Sequence, residues 1–177
     1  MRNTAFLVMG LLLLVVQANL YRLLGHIPVV GASPSLILPL IIFMGVHEYS
    51  LSRGAALSFV FGYLLDVMSG APIGLFTFCS VAVFILARAA GVRLTAQTLF
   101  SQAALALGFS LVESGIVLAL SVIFRDAKAA NSVQALLHLV VPHGIATAIA
   151  APFVFRLAER VHFITLRAAR HDREALR

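Results

Sequence analysis

The chain has 177 residues, of which 61% are hydrophobic and only 11% charged, with a formal net charge of +6. Soluble domains carry about 45–50% apolar and about 25% charged residues, so a water-soluble globule of this length could not hide so much apolar surface. Lipid is the solvent this composition requires, and the positive charge, unevenly distributed along the chain, does not read as a nucleic-acid patch.

Six apolar segments follow one another, at about residues 4–24, 34–49, 54–68, 73–90, 98–124 and 133–155. A membrane-crossing helix needs roughly 20 apolar residues. The first segment is preceded only by Arg2 and contains "VQA" at 16–18, which looks like a cleavage site. Its apolar stretch is long for a signal peptide, so an uncleaved first span is expected. The second and third segments are short, reaching about 23 Å against a hydrocarbon core of roughly 30 Å. They are expected to thin the bilayer or to form a tight hairpin sheltered by longer neighbours, with a single re-entrant unit as the alternative.

The third segment places Gly54, Ser58, Gly62 and Asp66 at intervals of four, on one helix face. Small residues let two backbones approach closely, which is how helices associate in lipid. This stripe is therefore expected to pack a neighbouring helix or to bind a partner chain. The segment ends in "GYLLDVMSGAPIG", residues 62–74. A carboxylate at a helix C-terminus is badly placed for its own helix but well placed for the positive start of the next. Asp66 is expected to accept hydrogen bonds from the first amides of the fourth helix, with Pro72 in that helix's first turn and Gly74 beside it. The alternative role for Asp66 is contact with a partner from outside. Cys79, the one cysteine, falls inside the fourth segment and reads as a small packed side chain.

Intramembrane ionisable residues are costly and face a bundle interior or a polar partner. Glu113 lies eleven residues before Phe124 and His143 ten residues after Val133. At 1.5 Å per residue those depths are roughly 16 and 15 Å, so the two are expected to pair, with satisfied packing at a local kink as the alternative for His143. His138 precedes Pro142 by four, and Pro142 frees the His138 carbonyl from its usual bond, so packing at a local kink is the reading there.

Loops assigned to one side of the membrane hold ten of the thirteen Lys and Arg residues. The other side holds Arg22, Arg125 and Lys128. The excess marks the cytoplasmic side and puts both termini there, which an even number of spans satisfies. The tail at about 156–177 is basic and mildly amphipathic. It reads as an anchor on anionic membrane lipid, or as a docking strip for a cytoplasmic partner.

Metal-ligand spacing, a nucleophile elbow and a phosphate loop are all missing from the sequence. His47-Glu48 lacks the second histidine of a metalloprotease helix and reads as an interface anchor with Tyr49 and Arg53. No enzyme, cofactor or metal is expected. The whole of 1–177 is read as one all-α integral-membrane domain, a bundle of six transmembrane helices.

Pro34 and "LILPLI" open the second segment, Arg53-Gly54 follow at a turn, and then comes "GYLLDVMSGAPIG". This combination resembles the MreD family, the bacterial rod shape-determining membrane proteins. The matching positions are Gly62, Leu65, Asp66, Ser69, Pro72 and Gly74, and Tyr63 stands where the family often has leucine. The specific part covers residues 34–74; the remainder is similar in hydropathy. The resemblance implies a non-enzymatic inner-membrane scaffold of the cell-elongation machinery. Its implied partners are MreC, the actin-like MreB, and RodA with its class B penicillin-binding protein. It also implies an architecture similar to the substrate-binding subunits of energy-coupling-factor vitamin transporters.

A transporter subunit of that kind is the alternative function. Those subunits tend to carry small residues spaced by four on the first helix, whereas here Ala5 and Met9 lead into "LLLLVV". A polyprenyl-carrier flippase would need a cationic cavity within the membrane, and every arginine here falls at or near a predicted helix end.

Overall fold

The computed structural model describes residues 2–24, 34–47, 50–69, 72–91, 99–124 and 130–174. Among them are six helices and no strand: α1 (Arg2–Leu24), α2 (Ile37–His47), α3 (Leu51–Ser69), α4 (Leu75–Gly91), α5 (Leu99–Phe124) and α6 (Ala130–Glu174). Three stretches are long and apolar enough to cross a membrane, Leu51–Ser69, Phe100–Leu120 and Val140–Thr165. Large apolar side chains point outward all along the bundle, including Phe59, Ile73, Phe100, Ile149 and Phe153. Such a surface suits a membrane and not water.

The centre of the bundle is α2. Every residue from Ile37 to Gly45 is buried. The helix packs on α4 most extensively, then on α6, and touches α1, α3 and α5 as well. Eleven residues rise only about 16 Å, too little to cross a bilayer unaided. Enclosure by longer helices removes that difficulty, because α2 has almost no lipid contact. Pro39 sits in its first turn, where a missing N–H breaks no intrahelical bond. At its other end His47 stacks on Phe43 with ring centroids 4.2 Å apart and approaches the Phe43 carbonyl at 3.2 Å. Phe43 also meets Phe6, Phe155 and His162, so α1, α2 and α6 share one aromatic cluster.

Two of the differences from the expected boundaries lengthen a helix. Helix α3 starts at Leu51 instead of about residue 54, because Ser50 takes the capping position and its carbonyl accepts the Gly54 N–H at 3.2 Å. That extra turn makes α3 long enough to span. Helix α6 does not stop near Phe155 but continues to Glu174, through Pro142 and Pro152. The stretch from Phe153 to Glu174 has no glycine or proline and is rich in Arg, Ala, Leu and Glu, which favour helix.

Close backbone contact brings α4 against both α2 and α3. A Cβ added to Gly45 would lie 2.8 Å from Ala87 Cβ and 3.0 Å from the Phe84 carbonyl oxygen. One added to Gly62 would lie 2.6 Å from Thr77 Cα and 2.7 Å from the Phe76 carbonyl oxygen. Backbone atoms cannot yield as a side-chain tip can, so either alanine must push two helices apart. Gly62→Ala and Gly45→Ala are each expected to lower the thermal midpoint in detergent, by the about 1–3 kcal/mol typical of overpacking. Gly108→Ala, where a Cβ meets open space, is expected to leave the midpoint unchanged or slightly raised.

Candidate functional site

The corner between α3 and α4 is built around one carboxylate. Asp66 is 1% exposed, one turn before the end of α3. Its Oδ2 accepts the backbone N–H of Gly74 at 2.9 Å, the N–H of Thr77 at 3.1 Å and the Thr77 hydroxyl at 2.6 Å. Its Oδ1 accepts the N–H of Phe76 at 2.7 Å. The remaining amide of this turn, Leu75 N–H, donates to the Pro72 carbonyl at 3.2 Å, and regular helical bonding begins with Phe78 N–H to Gly74 at 2.9 Å. The first amides of α4 are thus all satisfied, mostly by a side chain eight to eleven residues earlier.

A helix start leaves its first amides without intrahelical acceptors. An ordinary capping residue supplies one oxygen from the adjacent position. Here the cap comes from another helix and carries full negative charge, which the positive end of the α4 dipole favours. Gly74 makes the approach possible: its φ of +103° is open to glycine and strained for other residues. That conformation also corrects the expected place of Pro72. The chain turns at Gly74 before α4 begins at Leu75, so Pro72 lies outside the helix and contributes its carbonyl.

The stripe below Asp66 is used inside the chain. Gly54, Ser58, Gly62 and Asp66 are all buried, and at Gly62 the face meets Phe76, Thr77 and Ser80 of α4. The outward face of α3 carries Phe59, Val60, Tyr63 and Val67 instead.

A second capping site, at the start of α2, had no motif to announce it. Leu36 N–H donates to Gln17 Oε1 of α1 at 2.9 Å. Ser35 N–H donates to Thr147 Oγ1 of α6 at 3.0 Å, and Ser35 Oγ accepts the Leu38 N–H at 3.4 Å. Gln17 in a first apolar segment and Thr147 in a last one were the only signals, and neither names its partner.

Glu113 lies on a buried face of α5 with Gln102, Ala106 and Ser110. Its Oε2, like Gln102 Oε1 and Ser110 Oγ, has no hydrogen-bond partner among the described residues. His143 makes an interaction of its own. Ser110 Oγ faces Gly144, 3.6 Å from where a Cβ would be. Glu113, three residues further along the antiparallel helix, therefore sits within a turn of the expected depth of His143. On α6 it is Gly144 that faces Ser110, and Thr147 is committed to the Ser35 amide. His138 belongs to α6, but its side chain lies outside the described residues, as do Glu48, Tyr49 and the tail arginines beyond Thr165. Among the described residues no group of three metal-binding side chains occurs.

The corner makes ordered predictions. Asp66→Leu strands three amides, at roughly 1–3 kcal/mol each, and is expected to abolish a cooperative melt in detergent. Asp66→Asn keeps a carbonyl oxygen and is expected to melt at an intermediate temperature. Thr77→Val removes one donor only and is expected to be the mildest. Hydrogen exchange at the Gly74, Phe76 and Thr77 amides should accelerate in the same order. At the second site, Thr147→Val is expected to expose the Ser35 amide to exchange without affecting Gly74.

No family model, curated protein or solved structure matches this chain.

Proposed function

We propose that this protein is a non-enzymatic scaffold of the bacterial inner membrane, an MreD-type component of the machinery that elongates rod-shaped cells. In this reading all six helices lie in the membrane, with both termini cytoplasmic. The protein binds MreC and links cytoplasmic MreB to the lateral peptidoglycan synthases, RodA and its class B penicillin-binding protein. The observation that carries the reading is the Asp66 corner. It lies in the segment whose residues resemble the family, and its buried carboxylate joins two helices. A carboxylate closed off from the surface and holding four hydrogen bonds within the chain suits a structural role.

The faces that meet partners are the outward, bulky ones, since the small-residue stripe is occupied by α4. Outward side chains on α1 are likewise bulky, with Val8, Leu11, Leu12, Val15 and Val16 exposed. That favours the scaffold over the vitamin-transporter alternative, whose first helix would present small residues.

Depletion in a rod-shaped host is the test. Cells should round up, and co-purification should recover an MreC-like protein. The parent gene and Asp66→Asn should restore rods, the latter in part, while Asp66→Leu should not. A vitamin requirement in cells of normal shape would overturn the reading in favour of transport.

A further inference from the structure

Between α1 and α6 lies an apolar groove that no helix among the described residues fills. Val8, Leu12 and Val16 form one wall, and Phe153, Leu157 and Val161 the other. Its volume is about 640 Å³. From Thr4 to Val16 it runs twelve residues along α1, roughly 18 Å at 1.5 Å per residue. Its lining has no glycine and a single alanine, Ala5, to let a transmembrane helix come close. A flexible hydrocarbon chain fills such a slot without a notch in its wall.

The two ends differ chemically. At one end the lining is Val16, Leu36 and Phe153, all apolar. At the other it is Thr4 and Thr165. Arg160 stands on the same face of α6 as Phe153, Leu157 and Ile164, by its spacing, on the rim nearer the threonine end. It is exposed, as is Arg156 one turn away. An arginine on the rim of an apolar slot reaches toward the membrane surface while its stem lies along hydrocarbon.

We propose that this groove holds an acyl chain of an anionic phospholipid, whose phosphate sits at the threonine end on Arg160. The site rests on the membrane character of the bundle and not on the elongation-scaffold reading. A guanidinium and an acyl slot together recognise one molecule that is apolar at one end and negatively charged at the other.

The test uses the full chain in phosphatidylcholine vesicles, doped with either phosphatidylglycerol or phosphatidylcholine carrying a photoreactive diazirine on one acyl chain. Cross-links mapped by mass spectrometry should fall on α1 between Val8 and Val16 and on α6 between Phe153 and Val161. The phosphatidylglycerol probe should label roughly fivefold more, the worth of one basic side chain at an anionic surface. Arg160→Gln should remove that preference while labelling persists, and Leu157→Trp, which plugs the slot, should remove labelling by both probes. Should Leu157→Trp fail to fold, the Arg160→Gln comparison decides alone. Equal labelling by the two probes, unchanged in Arg160→Gln, would mean ordinary annular lipid and overturn the proposal. A photoreactive residue at Leu12 that cross-links in native membranes to a protein instead of a lipid would overturn it as well.

Discussion

An amide at the start of a helix has no acceptor within that helix, and in lipid no water replaces one. This bundle begins two of its helices against other helices, and each start is satisfied by side chains from elsewhere in the chain. Asp66 of α3 serves α4, and Gln17 of α1 with Thr147 of α6 serves α2. The choice of acceptor follows the surroundings. Pro72, Ile73 and Gly74 beside the α4 start are exposed, at the edge of the bundle, where a carboxylate with four donors is supportable. Ser35 and Leu36 at the α2 start are buried, and there a charge would meet a larger desolvation penalty, so a neutral amide and a hydroxyl do the same task.

These two caps fix relations that greasy packing alone leaves loose. Apolar side chains slide past one another at little cost, whereas a carboxylate holding Gly74, Phe76 and Thr77 together has one geometry. The close passages at Gly62 and Gly45 then become possible, since helices must be in register for two backbones to meet at glycine. With α4 held by Asp66, both α3 and α2 find their glycine contacts on it, at Phe76 and Thr77 for one and at Phe84 and Ala87 for the other. One electrostatic anchor and two steric notches thereby place the central helix.

What was legible in the sequence divides along the same line. Helix number and approximate limits came from runs of apolar residues, because lipid allows few other structures. The Asp66 corner could be read because all its elements lie within a dozen residues: a carboxylate, a turn and a glycine. The α2 cap could not, since Gln17, Ser35 and Thr147 are far apart in the chain and individually unremarkable among apolar neighbours. Glu113 shows how far residue counting reaches. Counting residues fixes depth to within a turn, but the direction a residue faces depends on how two helices are rotated against each other, and uniformly apolar segments carry little record of that. The long α6 was missed for another reason: a polar tail was read as an ending, while helix propensity continued through it.

The way the small residues are spent has a consequence for association. Gly54, Ser58 and Gly62 are turned inward, so the outer face of α3 is made of Phe59, Val60, Tyr63 and Val67, which keep neighbouring backbones apart. Contacts there rely on ridges fitting grooves over a wide area, and gaps between imperfectly matched ridges must be filled by something flexible. Lipid acyl chains are the available filler, and the apolar slot between α1 and α6 is a gap of this kind. Helix α3, which spends its small residues inside the bundle, therefore turns a bulky face outward, one that lipid completes.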